Sequence, residues 1–183
     1  MSMPGRIWAP VAAALAIGYL AAMAVVGAPP AQRQLVQTEA DGLLAVPAAE
    51  VRMAEIVKDG QTIRAVRQGD KNWTDQSGAP LGAAASAQLD RAATVLHRSG
   101  PVRELSEDDL AGVDAQPFGL KAPALVVTVW GAAEAPLLTA RFGAINPEGI
   151  LQYMRLDGSG SLYLMSRFVA DEWATAHAEA KRR

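Results

Sequence analysis

Residues 7–28 read IWAPVAAALAIGYLAAMAVVGA, 22 consecutive positions without a charged side chain. At a rise of about 1.5 Å per residue, a helix of that length crosses a hydrocarbon core about 30 Å thick. Trp8 stands at its leading edge, where amphipathic rings sit at headgroup depth, and Pro29-Pro30 closes the far end. Pro10 falls in the first helical turn, where its missing N–H costs little. The run therefore predicts one transmembrane helix, with the lipid bilayer as its first partner. Arg6 precedes it, whereas the nearest cation beyond is Arg33, soon followed by Glu39 and Asp41, so the amino terminus is expected in the cytoplasm. Val26-Gly27-Ala28 has the small residues of a signal-peptide cleavage site, but Pro29 would follow the cut and the run exceeds the roughly 7 to 15 apolar residues of a signal core. A retained anchor is favoured, and under either reading the rest of the chain is exported. Ala14, Gly18 and Ala22 recur at a spacing of four, a small-residue ridge that lets helices approach closely in lipid, and they form a candidate helix–helix interface.

The remainder of the chain has room for one core, because 183 residues suit a single domain with an appendage. Residues 29–49 mix Pro, Gln, Ala and acids without periodicity and read as a linker, with Leu43, Leu44 and Val46 placed to touch the fold. Residues 50–183 form the exported domain.

Its pattern predicts an α+β fold: antiparallel β meanders with two or three packed helices. Short β-favouring stretches at 51–57, 62–68 and 72–74 are joined by Lys58-Asp59-Gly60 and Gly69-Asp70-Lys71, both turn chemistry. In the second stretch Ile63, Ala65 and Arg67 alternate with Thr62, Arg64 and Val66, which leaves the buried face open. Residues 83–97 form an amphipathic helix with Leu89, Ala92, Ala93 and Leu96 on one stripe, ending before Ser99-Gly100-Pro101. A strand at 102–105 precedes Ser106-Glu107-Asp108-Asp109, whose capping-box pattern predicts a second short helix. Four further strands at 124–130, 137–142, 150–156 and 161–166 have short connections, which makes neighbouring antiparallel pairs the default. A helix over 168–180, with Phe168, Val169, Trp173 and Ala176 as its apolar stripe, is expected to pack on the sheet before Lys181-Arg182-Arg183.

The same residues argue against most chemistries. The formal charge is −2 with signs interspersed, so no basic field exists for nucleic acid. Cysteine is absent, which removes disulfides, thiolate metal sites and a thiol nucleophile together. His97 and His177 are eighty residues apart and suit helix ends better than a metal site, and no metal ligand set is assigned. Asp157-Gly158-Ser159-Gly160 lies between two strands, so it reads as a hairpin turn and not a nucleophile elbow. Glu107, Asp108, Asp109 and Asp114 lack the alternation and closing glutamate of a calcium loop and suit a helix start. There is no glycine-rich or Walker-type nucleotide phrase. No catalytic residue and no cofactor is therefore expected. Trp73, Trp130 and Trp173 are candidate interface aromatics, weighed against the alternative that each is a core anchor.

Between Val51 and Trp173 four features resemble a bacterial domain-of-unknown-function family often encoded beside gliding-motility-type ABC transport components. They are the opening hairpin closed by Asn72-Trp73-Thr74, the helix ending at His97, the phrase Phe118-Gly119-Leu120-Lys121-Ala122-Pro123 before a strand, and a last meander with Tyr163-Leu164-Met165 and a short helix. Arg141-Phe142-Gly143 and Gln152-Tyr153-Met154 match further phrases, while Phe118 stands where the family more often has tyrosine. The resemblance implies a membrane-tethered envelope domain near transport or assembly machinery, and no catalytic residues. The expectation is thus a non-enzymatic, single-pass protein of the bacterial inner membrane whose periplasmic domain serves as an accessory or scaffold subunit for another membrane or periplasmic protein. The alternatives are a ligand-binding accessory to an ABC-type transporter, which needs an apolar pocket, and a carboxylate-dependent envelope hydrolase, which needs two acids in one cleft.

Overall fold

A computed structural model describes residues 16–19 and 42–182. The chain separates into two units, Met1–Thr38 and Glu39–Arg183. In the first, residues 16–19 are helical and exposed, and Gly18 lies among them. Most of the expected spanning segment, with Ala14 and Ala22, lies outside the described residues, as does most of the linker. Among the described residues no helix is long and apolar enough to cross a membrane.

The second unit is an α+β fold built on one antiparallel sheet of eight strands: β1 (Met53–Lys58), β2 (Gln61–Gln68), β3 (Asn72–Asp75), β4 (Arg103–Leu105), β5 (Leu125–Trp130), β6 (Pro136–Ile145), β7 (Leu151–Leu156) and β8 (Leu162–Ser166). Their order is β3-β2-β1-β5-β6-β7-β8-β4. Two meanders thus share a sheet through their first strands, Ala54 facing Val129 and Ile56 facing Val127. The β1–β2 connection is the two-residue turn Asp59-Gly60, with Asp59 at φ 52° and Lys58 opposite Gln61, the geometry whose twist matches that of the strands.

Two helices, α1 (Ala83–Arg98) and α2 (Arg167–Lys181), cover one face of this sheet. The alternation along each strand decides what they bury: Ala54, Ile56, Ala65, Leu125, Val127, Val129, Ala140, Phe142, Met154 and Met165 meet Leu89, Ala92, Ala93, Leu96, Val169, Trp173 and Ala176 in a single cluster. At about 25 cal/mol per Å² of apolar surface, each fully buried leucine contributes roughly 2 kcal/mol. Buried Glu172 joins the helices, accepting from Gln88 Nε2 and pairing with Arg91 Nε at 2.9 Å.

The pairing register resolves the ambiguity of β2. Ile63, Ala65 and Arg67 turn toward the helices, because Ala65 faces Ala54 and Ile63 faces Ile56. Arg67 is a hub there: its Nε donates to the Val51 carbonyl at 2.7 Å, Nη1 to that of Asp70 at 2.9 Å and Nη2 to that of Ala48 at 3.3 Å. Nη2 also pairs with Asp90 of α1 at 2.7 Å, and the guanidinium lies 4.5 Å from the centre of the Trp73 ring. The Trp73 indole N–H donates to the same Asp90 carboxylate at 3.0 Å.

Residues 42–50 pack against the end of α1. The Leu43 and Leu44 N–H groups donate to the carbonyls of Ser99 and Leu96, and His97 Nδ1–H donates to the Leu44 carbonyl at 2.9 Å. These bonds satisfy acceptors that a helix end leaves over, and Leu44 enters the core. Gly42 permits the approach, since a Cβ there would lie 1.7 Å from the His97 carbonyl oxygen.

Two expectations change. The capping box at Ser106 forms, with Asp109 accepting from the Ser106 N–H at 2.9 Å and its own N–H donating to Ser106 Oγ at 3.2 Å, yet it leads only into hydrogen-bonded turns. Gly112 at φ 79° reverses the chain before a second helical turn can close. Phe168 lies off the buried stripe of α2 and is 48% exposed, its ring beneath Arg91 at 5.9 Å. Val169, Trp173, Ala176 and Ala180 keep the helical spacing instead.

Candidate interaction surface

The second face of the sheet is covered at one end only. There the segment between β4 and β5 lies over β6 and β7: Phe118 and Tyr153 rings meet at 4.8 Å, and a Cβ on Gly143 would sit 2.1 Å from the Phe118 carbonyl oxygen. Toward β5, β1 and β2, by contrast, no element among the described residues covers the face.

Register gives its composition. One row across the strands is Thr62, Val57, Val126, Arg141 and Arg155; the next is Arg64, Glu55, Thr128 and Thr139; the third is Val66, Met53 and Trp130. All but exposed Thr62 are half-buried, whereas Ala54, Ile56, Leu125, Val127 and Val129 on the helix side are closed. Three polar pairs set the surface: Arg64 with Glu55, Thr139 Oγ1 donating to Thr128 Oγ1 at 3.1 Å, and Arg141 with Asp157 through two bonds of 2.6 and 2.9 Å. The Arg141 hydrogen bonds hold the Asp157 carboxyl below its ordinary range, and the same bonds raise Arg141.

Arg155 is the exception. It stands directly across from Arg141, a like-charge pairing that weakens a sheet. Its Nε is buried without a hydrogen-bond partner, and among the described residues the side chain makes no ion pair. A fold selected for stability alone gains nothing from an arginine placed so.

At the far end of the patch, beside Trp130, a depression of about 240 Å³ is lined by Glu50, Arg52, Ala133 and Leu137. A half-buried tryptophan, a methionine, arginines and an adjacent apolar recess are the residue types enriched where protein interfaces concentrate their binding energy.

The other candidates settle elsewhere. Trp73 and Trp173 are 1% and 0% exposed and serve the core, leaving Trp130 alone of the three on an uncovered surface. The Trp173 indole N–H finds no acceptor there. Gly18 is helical and exposed, with nothing within 4 Å of a Cβ built on it. Ser159 turns the chain between β7 and β8, its Oγ 3.1 Å from the Tyr163 hydroxyl. Asp114 caps the Gln116 N–H at 2.9 Å. Among the described residues no three His, Asp or Glu side chains converge as a metal site. Three clefts among the described residues each hold a single carboxylate, Asp59, Asp75 or Glu50. Sequence reasoning did not find Arg155; the signal available was its place opposite Arg141, which requires the strand register.

No protein-family model, curated protein or solved structure matches the chain.

Proposed function

We propose that this chain is a non-enzymatic accessory subunit, tethered by residues 7–28 in a bacterial inner membrane, whose periplasmic sheet docks another envelope or membrane protein. The half-face over β1, β2 and β5 that no described element covers, with Arg155 on β7 at its covered end lacking an ion pair among the described residues, is the observation that carries the reading. The fold tolerates a destabilising cation beside Arg141, in the row that also holds Val126, and a partner carboxylate would neutralise it. The occupant that fits is a protein segment with an apolar stretch to lie over Met53, Val57, Val126 and Trp130, and an aspartate or glutamate for Arg155. The uncharged amino-terminal run and the family resemblance support the compartment.

Its test is co-purification from native membranes of the full-length protein, a form lacking residues 1–28, and the full-length variants Arg155→Glu and Val126→Asp. One stoichiometric partner with the unaltered protein, diminished by either substitution, is the expected result. A partner retained equally by all four forms refutes the docking face and the role of the anchor together.

A further inference from the structure

The turn between β1 and β2 stands against the last turns of α2, and between them lies a cleft of about 450 Å³. Residues 174, 177, 178 and 181 recur at helical spacing, so one stripe of α2 forms its wall. Ala174 and Ala178 supply no bulk there, which keeps the cleft open. Lys58 approaches from β1, Lys181 and Arg182 from the helix, and Asp59 is the one carboxylate of the lining. Lys58 pairs with Asp59 and Arg182 with Glu179 at 2.6 Å, while Lys181 bonds only the neutral Gln61 side chain, so the group keeps one net positive charge in a chain whose formal charge is −2.

His177 gives the cleft a fixed polar group. It is 5% exposed, and its Nε2–H donates to the Gln61 carbonyl at 3.2 Å, which orients the ring. Lys181 bonds the Gln61 side chain, so the same residue of β2 positions both groups. The field is positive at the rim: Asp59 titrates below its usual range, chiefly through its bond to Lys58, with His177 and Lys181 acting in the same sense. Cations favour a helix carboxyl end whatever the function, which accounts for Lys181 and Arg182. It does not account for Lys58, which belongs to a strand, nor for the alanines that leave space between them.

We propose that this cleft binds a phosphate-bearing group, with Lys58, Lys181 and Arg182 supplying charge-assisted hydrogen bonds to its oxygens. The phosphate belongs either to a lipid headgroup or to a soluble compound, and the chemistry of recognition is shared. This site lies at the β1–β2 turn and does not depend on the docking face.

Calorimetry of the full-length protein in a neutral detergent tests it, with inorganic phosphate, pyrophosphate, dihexanoyl phosphatidylglycerol and dihexanoyl phosphatidylcholine as probes at constant ionic strength. Saturable binding of at least one probe is expected, weakened about tenfold or more in the Lys58→Gln/Lys181→Gln double variant, as loss of two charge-assisted contacts requires. Arg103→Gln, which removes a cation on the distant edge strand, leaves the affinity unchanged. Preference for inorganic phosphate or pyrophosphate identifies a soluble ligand, and preference for a short-chain lipid identifies a headgroup; either supports the site. Absence of saturable binding, displacement by chloride at equal concentration, or an unchanged affinity in a double variant whose melting curve is intact overturns it.

Discussion

Replacing Arg67 with methionine keeps the length of the side chain and removes its fork of donors. Three carbonyls, of Ala48, Val51 and Asp70, lose a partner, and Asp90 loses its cation while its side chain stays only 30% exposed. Breaking a buried pair from one side costs about 3–5 kcal/mol, since the remaining charge must be solvated or left alone. Here the remaining bond from Trp73 to Asp90 and that partial exposure favour the lower half of the range. In a domain of this size the loss corresponds to a fall in Tm of roughly 10–15 °C. Urea unfolding of the full-length protein in detergent, followed by circular dichroism and tryptophan fluorescence, measures it. Arg67→Lys retains the charge but not the fork and is expected to lose about half as much. Asp90→Asn in the Arg67→Met background restores part of the stability, with a coupling of about 1–3 kcal/mol. A loss below about 1 kcal/mol for Arg67→Met, at unchanged denaturant slope, refutes the assignment of Arg67 as the tie between residues 48–51, the second hairpin and α1.

Three further outcomes are expected. Gly42→Ala puts a Cβ 1.7 Å from the His97 carbonyl and Gly143→Ala one 2.1 Å from that of Phe118, so each displaces a segment of backbone and costs about 1–3 kcal/mol; hydrogen exchange should localise the first at residues 42–44 and the second at 118–120. The Asp157 carboxyl, lowered by its bonds from Arg141, should titrate below 3.8 by carbon-detected NMR and return toward it in Arg141→Gln. Because its folded value is depressed, its contribution is present above the unfolded value and disappears as pH falls through the folded one, a small effect for a side chain 45% exposed. Arg155→Leu removes the like-charge neighbour and the orphaned Nε, and stability should hold or rise by about 0.5–1.5 kcal/mol; a loss greater than about 1 kcal/mol would show that Arg155 serves the fold.

The elements were legible because each is written locally. Turn residues at Lys58-Asp59-Gly60 and the stripe of Leu89, Ala92, Ala93 and Leu96 report on neighbours within a few positions, and the strands and α1 lie where those signals place them. The join of β1 to β5 left no such mark, since pairing between distant strands is set by the assembled core. β5 reads LVVTVW, with Thr128 the one polar residue of its outer face, too weak a mark by itself to show that Val126 is half-buried while Val127 is closed. Arg67 and Arg155 show the same limit in opposite directions: one arginine is buried among the helices and fully engaged, the other lies on the opposite side of the sheet with its Nε buried and unbonded, and only the register of β2 and β7 separates them.

The central claim is tested most directly by placing a photoreactive residue at Val126 of the full-length protein in native membranes, with the same residue at exposed Ala87 of α1 as the reference position. The docking account predicts one discrete adduct from position 126, abolished by Arg155→Glu, and none from position 87. Equal adducts from both positions, or a position-126 adduct indifferent to Arg155→Glu, would contradict it.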